Sequence, residues 1–173
     1  MNASLSLVVV VLARNEEGHI ERLLLCLRRL SAEVFIVDSF STDKTAILAQ
    51  GLGANVVQHR FVNYAQQFQW ALDNFPVETE WVMRLDADET LTPELVEEIG
   101  CRLPELPPDV TGVNLKRRHI FLGRWIKRGG RYPLTLLRVW RKGAARIEAL
   151  TATNALLVAR IAELARSIRD AGV

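Results

Sequence analysis

The chain has 173 residues, of which 49% are hydrophobic and 24% are charged, a balance that excludes a disordered protein and favours one globular domain. The longest early apolar run, Leu7 to Ala13, is far shorter than the roughly 20 residues of a membrane-spanning helix, and no basic region precedes it as in a signal peptide. Two cysteines without a disulfide framework indicate reduced thiols and a cytoplasmic protein.

The net charge of +2 conceals an uneven distribution. Residues 1–115, the acidic half, carry 8 Lys and Arg against 17 Asp and Glu. Residues 116–146, the basic segment, carry 11 Lys and Arg and no acid. Such a segment suits an anionic partner, which could be a phosphorylated lipid, a membrane surface, a polysaccharide or a nucleic acid.

Strands and helices are predicted to alternate along the acidic half. In chain order the predicted strands are SLVVVVLA, EVFIVDS, NVVQHRF and EWVMRLD. The helices predicted between and after them are RNEEGHIERLLLCLRRL, SFSTDKTAILAQGLGA, NYAQQFQWALDNF and PELVEEIGCRL. This alternation predicts a mostly parallel α/β sheet built from right-handed βαβ units, with helices on its faces.

Polar side chains follow three of the predicted strands, namely Asn15 and Glu16, then Asp38, then Asp86 and Asp88. Because ligands of such sheets bind beyond the carboxyl ends of the strands, we expect these side chains to meet at one edge. Asp86 and Asp88 flank a single residue, and carboxylates this close repel unless a positive charge lies between them. The pair therefore favours a divalent metal site, and the alternative is a solvated turn before the next helix.

Three motifs in this order, VVVVLARNEEGHIERLLLCL, VDSFSTDKT and RLDADE, resemble those of the family 2 glycosyltransferases. The stretch GRWIKRGGRYPLTLLRVWRKG, which follows them, looks most like the subgroup that includes lipopolysaccharide core β-1,4-glucosyltransferases. The resemblance implies the GT-A fold, a Rossmann-like and mostly parallel sheet flanked by helices. It also implies that residues 1–115 form the nucleotide-sugar-binding half and residues 116–148 the acceptor side of the same domain.

The resemblance implies roles for four residues in the first two loops. Ala13, Asn15 and Glu16 fall where the family's first loop holds the base and ribose of the nucleotide. Asp38 falls where an acid commonly accepts the uracil N–H, and the alternative is a helix cap at residue 41. Phe40 stands where the family usually has Gly, which predicts a loop with less access to positive φ.

Asp86 and Asp88 fall on the D-x-D motif of the same family. There the second Asp chiefly ligates the Mn²⁺ or Mg²⁺ that bridges the two phosphates, and the first lies near the ribose or the metal. Both are therefore implied metal ligands, and Asp86 is also implied as a contact to the donor. The subgroup usually continues after ARIE with an acidic or His-containing motif that supplies the base, but this chain reads ALTATNALLVARIAELARSIRDAGV, and no catalytic residue is identified.

The implied activity is an inverting, metal-dependent transfer of a hexose from a nucleotide sugar, UDP-linked in the leading hypothesis, to a cell-envelope saccharide or lipid-linked acceptor. A catalytically silent fragment that binds a sugar nucleotide is the alternative, because no base for the acceptor hydroxyl is identified. Nucleic acid is disfavoured, since the chain lacks motifs that read DNA or RNA and its larger part is acidic.

The basic segment predicts attachment at anionic lipid on the inner face of the cell membrane, with Trp125 and Trp140 at the interface. Two interpretations stay open for its other side chains, which either serve a ligand or form an ordinary solvated or packed surface. The candidates for a phosphate contact are Arg117, Arg118, Arg128 and Arg131, and those for an acceptor groove are Trp125 and Tyr132.

Residues 149–173 are predicted to form a C-terminal amphipathic helix. Its seam, apolar except for Asn154, recurs at alternating spacings of four and three residues, through Leu150, Asn154, Leu157, Ile161, Leu164 and Ile168. A seam this short must be buried to be stable. It covers either the protein's own sheet or a partner helix, such as that of a second copy.

Overall fold

The computed structural model describes residues 5–75, 78–128 and 132–145. In chain order the elements of the acidic half are β1 (Leu7–Ala13), α1 (Glu17–Leu27), β2 (Glu33–Asp38), α2 (Thr45–Gly51), β3 (Asn55–Gln58), α3 (Tyr64–Asn74), β4 (Trp81–Asp86) and α4 (Pro93–Arg102), followed by a 3₁₀ turn (Leu103–Glu105) and β5 (Gly112–Arg117). The remaining described elements are β6 (Ile120–Phe121), β7 (Arg124–Trp125) and β8 (Leu134–Arg141). The predicted C-terminal helix lies outside the described residues.

The described strands form one six-stranded sheet in the order β3-β2-β1-β4-β8-β5 and a separate two-stranded hairpin of β6 and β7. The pairs among β1 to β4 are parallel, and β8 pairs antiparallel with both β4 and β5. The predicted α/β class with a mostly parallel sheet flanked by helices is therefore confirmed. The last described strand lies between β4 and β5, so the basic segment completes the sheet that the acidic half begins.

The strand β1 lies at the centre because its side chains are apolar on both faces, as a strand covered by helices requires. Alternate residues of β1 pack in two clusters, one with α1, α2 and α4 and the other with α3. On the α3 face, an open groove of about 380 Å³ remains, lined in part by Val10, Val82, Trp140 and Ala145. One face of the sheet is thus covered by three helices, and the other is only partly covered within the described residues.

The start of helix α2 differs from the sequence prediction for a local reason. Helix α2 begins at Thr45 rather than near residue 39, because the intervening residues form a loop tied to β1 and β2 by side-chain hydrogen bonds. Helix α4 begins at Pro93 as predicted, and the side chain of Thr92 accepts a hydrogen bond from the Leu95 N–H at 3.3 Å. Across the described part of the chain, no helix has the length and apolarity of a membrane span.

Candidate functional site

The carboxyl ends of β2, β1 and β4 lie side by side at one edge of the sheet. In the ladder Ala13 is opposite Asp38, and Leu12 is opposite Asp86. The turn after β4 is also tied to α1, because Nη2 of Arg22 donates to the carbonyl of Asp88 at 3.0 Å. The convergence of polar strand ends that the sequence predicts is therefore present in the fold.

The loops after β1 and β2 are hydrogen-bonded to each other. The backbone N–H of Asn15 donates to Oγ of Ser41 at 2.9 Å, and its side-chain Oδ1 accepts from the backbone N–H of Thr42 at 2.8 Å. The N–H of Glu16 donates to Oγ1 of Thr45 at 2.7 Å. Asn15 has a φ of 54°, which a short polar side chain tolerates. These bonds fix the first loop before any ligand arrives.

The other two residues implied in nucleotide binding at β1 differ in their access to a ligand. Ala13 is buried, and its carbonyl accepts from the N–H of Ser39 at 2.8 Å, so it can present little more than backbone. The carboxylate of Glu16 is partly exposed and lies 2.8 Å from Nδ1 of His19. Of the two, Glu16 is the one whose side chain can reach a ligand.

Asp38 is fully buried at the end of β2. Its Oδ2 accepts from the backbone N–H of Ser41 at 3.1 Å and from Nε2 of Gln58 at 3.2 Å, and the hydroxyl of Ser41 donates to its Oδ1. The predicted alternative, a helix cap at residue 41, is wrong because α2 begins at Thr45. Asp38 instead holds the loop that follows β2. Its three hydrogen bonds leave one lone pair on Oδ1, but the side chain is fully buried, so a nucleotide base could reach it only if this loop moved.

Phe40 departs from the prediction in that same loop. It adopts a φ of 55° although it carries a full side chain, and 55% of its surface is exposed. The sequence predicts less access to positive φ in this loop, yet Phe40 itself adopts it. A left-handed backbone conformation in a bulky residue is unfavourable, and such residues concentrate at ligand sites.

Three side chains surround the carboxylate of Asp86. Tyr64 and Arg138 hold it, and Arg84 lies slightly farther away. Its Oδ1 accepts a hydrogen bond from the hydroxyl of Tyr64 at 2.6 Å, and its Oδ2 lies 3.3 Å from Nη2 of Arg138. Nη2 of Arg84 lies 3.7 Å from Oδ1, and its guanidinium stacks 4.3 Å above the Tyr64 ring. Asp86 is thus held in place by the protein itself.

A third acid, Glu89, joins the same network. Its Oε1 forms an ion pair with Nη2 of Arg138 and lies 3.6 Å from Nη1 of Arg117, while its Oε2 accepts from the backbone N–H of Asp86 at 3.1 Å. The Arg138 side chain is only 7% exposed. The positive charge that the acidic turn requires is therefore supplied, between Asp86 and Glu89, by a buried guanidinium.

The environment of Asp86 keeps it ionised. Burial raises the pKa of its carboxyl, but the hydrogen bond from Tyr64 and the charges of Arg138 and Arg84 outweigh that effect, and the pKa lies below its ordinary value. Burial and the neighbouring Asp86 raise the pKa of the Tyr64 hydroxyl, which therefore remains a donor at neutral pH.

Asp88 is exposed, and within the described ranges its carboxylate has no hydrogen bond or ion pair. Among the described residues no group of three or more His, Cys, Asp or Glu could hold a metal by itself. Mg²⁺ and similar hard cations are commonly held by one or two carboxylates together with substrate phosphates. The free oxygens of Asp88 fit that mode, and each oxygen of Asp86 keeps a lone pair beside the contact that it makes with Tyr64 or Arg138.

Tyr64, Arg84 and Arg138 were not identified from the sequence as site residues. The available signal was a charged residue inside an otherwise apolar strand, as in WVMRLD and LTLLRVW, because such a residue is rarely buried unless paired. Tyr64 offered no comparable signal, since an aromatic in the first turn of a helix is ordinary.

The basic segment contains an aromatic cluster around Trp125. The ring of Tyr132 packs edge-on at 4.9 Å, while Arg118 and Lys127 lie 4.8 and 4.5 Å from the Trp125 ring centroid. The placement of Trp140 at an interface is wrong, because that residue is buried in the sheet and packs on α3. Arg117 pairs with Glu89, Arg128 is exposed, and Arg131 lies outside the described residues.

The family model named Glycosyl transferase family 2 matches residues 8–161. A lipopolysaccharide core biosynthesis glycosyltransferase, LpsC of Rhizobium meliloti, is 33% identical over 158 residues, which cover 78% of this chain and 56% of LpsC. An uncharacterized glycosyltransferase of Rickettsia bellii is 39% identical over 89 residues, which cover 51% of this chain and 30% of that protein. The chain thus spans from about a third to about half the length of these curated relatives.

Solved structures share the fold at lower identity. The mannosyltransferase PcManGT of Pyrobaculum calidifontis, in complex with GDP-Man and Mn²⁺, superposes with a TM-score of 0.56 at 24% identity over 65% of this chain and 36% of its own. S. aureus TarS 1-349, in complex with UDP-GlcNAc, gives 0.54 at 21% identity over 72% of this chain and 37% of its own.

Proposed function

Because the chain belongs to glycosyl transferase family 2, we propose that it binds a nucleotide sugar at the carboxyl edge of β1, β2 and β4 and transfers the sugar to an acceptor. The observation that carries the proposal is the meeting of the two hydrogen-bonded loops at that edge with Asp88, which is exposed and has no partner among the described residues. The division into a donor half, residues 1–115, and an acceptor side, residues 116–148, is part of the same proposal.

The residues present fit a divalent cation, Mn²⁺ or Mg²⁺, at Asp88. Its carboxylate would hold the ion together with the donor's phosphates, and a bound metal supplies positive charge for the departing diphosphate. Asp86, as a fixed anion held by Tyr64 and Arg138, keeps the turn in place and is ionised at neutral pH. A single displacement would invert the configuration at the sugar.

The nucleotide base is proposed to lie against the loops that contain Asn15 and Asp38. A UDP-linked donor is the leading choice, because an acid at the end of β2 can accept the uracil N–H. Phe40 adds an exposed aromatic surface in the same loop. The acceptor is proposed to be a cell-envelope saccharide or a lipid-linked sugar, since LpsC acts in lipopolysaccharide core biosynthesis.

Calorimetry of UDP binding with and without Mn²⁺ tests the donor site. Asp88→Ala is expected to abolish the Mn²⁺-dependent part of the affinity at an unchanged melting temperature, because the exposed side chain stabilises nothing in the fold. Asp109→Ala removes another exposed carboxylate and is the matched control. Equal affinity of wild type and Asp88→Ala for UDP with Mn²⁺ would refute the metal assignment.

Binding without transfer is the alternative function, because no base for the acceptor hydroxyl is identified among the described residues. Nucleotide release from a UDP-sugar in the presence of membrane extract separates the two. Release that depends on both Mn²⁺ and extract supports transfer, whereas tight UDP binding with no release supports the silent fragment.

The basic segment is proposed to face the acceptor at the inner surface of the cell membrane, in keeping with its 11 cations and no acid. Residues 149–173 are proposed to cover the groove on the α3 face. This groove reaches Ala145, the last described residue. Ile161→Asp should then lower the melting temperature at unchanged mass. A halved mass in sedimentation would instead assign the seam to a second copy.

A further inference from the structure

We propose that the β6–β7 hairpin inserts an apolar tip, Ile120, Phe121 and Leu122, into the surface of an anionic lipid bilayer. The three side chains are 58%, 62% and 86% exposed and follow one another without interruption. Within the described residues β6 and β7 pair only with each other, apart from the main sheet. Contiguous exposed apolar surface of this kind marks an interaction site.

The backbone conformation of Leu122 is unfavourable for a leucine, so the turn itself does not explain why a leucine stands there. Leu122 and Gly123 form the two-residue connection, and both have positive φ, 47° and 71°, as a type I′ hairpin turn requires. Asn followed by Gly is the favoured pair there, whereas a leucine in the left-handed region is strained. Leu122 is therefore exposed among the described residues and does not suit its turn, which points to a contact outside the described chain.

The surroundings of the tip select a negatively charged surface. From Lys116 to Arg128 the chain carries six Lys and Arg and no acid. Arg118 and Lys127 lie against the ring of Trp125, two residues beyond the turn, so their charges are held next to the apolar tip. An apolar tip flanked by cations is complementary to a bilayer in which the acyl chains lie beneath anionic headgroups.

A second copy of the chain fits this surface less well. Pairing two tips would bring the cations beside each tip, such as Arg118 and Lys127, close to those of the other copy, and like charges repel. The proposal rests on the membrane location proposed above but not on the donor site. Vesicle binding in the absence of nucleotide and metal therefore tests it separately from sugar transfer.

The test is flotation of the full chain with vesicles of phosphatidylcholine alone and of phosphatidylcholine mixed with phosphatidylglycerol. Leu122→Asn is expected to lower binding to the anionic vesicles about tenfold or more, because the leucine side chain would no longer be transferred from water into the bilayer. Its melting temperature should stay equal or rise, since Asn-Gly suits the turn. Ile47→Asn is the matched control, because Ile47 is 71% exposed on α2 in the acidic half and should not affect flotation.

Each other outcome overturns the proposal. Unchanged flotation of Leu122→Asn means that the tip does not enter the bilayer. A lower melting temperature means that Leu122 packs against another part of the chain, and a change of mass in sedimentation means that the tip joins two copies. Equal flotation on neutral and anionic vesicles would exclude the role given to the cations.

Discussion

The acidic half and the basic segment hold their charged groups in different ways. In the acidic half, Asp38 and Asp86 accept hydrogen bonds from neighbouring backbone and side-chain groups and are fixed. In the basic segment, Arg118 and Lys127 lie on the face of an aromatic ring, and residues 120–122 expose apolar surface. The first arrangement is complete without a ligand, whereas the second presents charge and apolar area to something outside. The difference indicates that the polar strand ends of the acidic half are preorganised, whereas the basic segment exposes groups that can contact another molecule.

The largest expected contrast comes from one substitution made in both regions. Ile36 is fully buried in β2, and Ile36→Ala should cost about 3 kcal/mol of unfolding free energy, because a cavity forms in the core. Ile120 is 58% exposed, and Ile120→Ala should change the free energy by less than about 0.5 kcal/mol. Urea unfolding measures both, and similar losses would mean that the hairpin tip is buried in the folded chain.

Arg138 belongs to the basic segment but is fixed by two acids of the acidic half, and its removal should have the next largest effect on the unfolding free energy. Arg138→Met leaves Asp86 and Glu89 without their shared partner and is expected to cost about 2 kcal/mol, below the full value for a buried pair because both acids are partly exposed. Arg102→Met is the control, since that exposed pair with Glu98 should contribute at most about 0.5 kcal/mol.

The cost of Arg138→Met should also depend on pH. The pKa of Asp86 is depressed in the folded chain, so its stabilising contribution is complete above its unfolded pKa of about 3.9. That contribution is lost as the pH falls through the lower, folded pKa. The difference between wild type and variant should therefore narrow below about pH 4. A difference that stays constant from pH 7 to acid would assign the loss to packing rather than charge.

Tyr64→Phe should have a smaller effect on the same network. It removes the hydroxyl that donates to Asp86 and accepts from Nε of Arg84 at 3.1 Å, at an expected cost of about 1 kcal/mol. The pKa of Asp86 should rise toward its ordinary value, because one of the interactions that lower it is gone. NMR titration of the Asp86 carboxyl measures this directly, and an identical titration in both proteins would contradict the assigned hydrogen bond.

The smallest change in unfolding free energy is expected for an exposed cation of the basic segment. Lys127→Gln removes an exposed charge that lies on the ring of Trp125, and the unfolding free energy should change by no more than about 0.5 kcal/mol. A loss of unfolding free energy as large as that of Arg138→Met would mean that Lys127 is held as firmly as the charged groups of the acidic half.

The fold could be predicted because its signals are local. The β-branched run of β1 and the helical spacing of α1 depend on neighbouring residues, and the polar strand ends then follow from the parallel topology. The contact between Arg138 and Asp86 depends on two strands 52 residues apart in the chain, which no local pattern encodes. Trp140 was misplaced for the same reason, since the face it occupies is decided by the pairing of β8 with β4.

The place of β8 between β4 and β5 also decides the order in which the molecule can be completed during synthesis. While the ribosome is still making residues 134–141, β4 is an open edge, β5 has no neighbour, and Asp86 and Glu89 lack their guanidinium. The acidic half must therefore persist as an unfinished sheet until almost the whole described chain has emerged. We expect stalled chains that end before residue 134 to be cut readily by protease near β4, and chains that expose residue 141 to resist it.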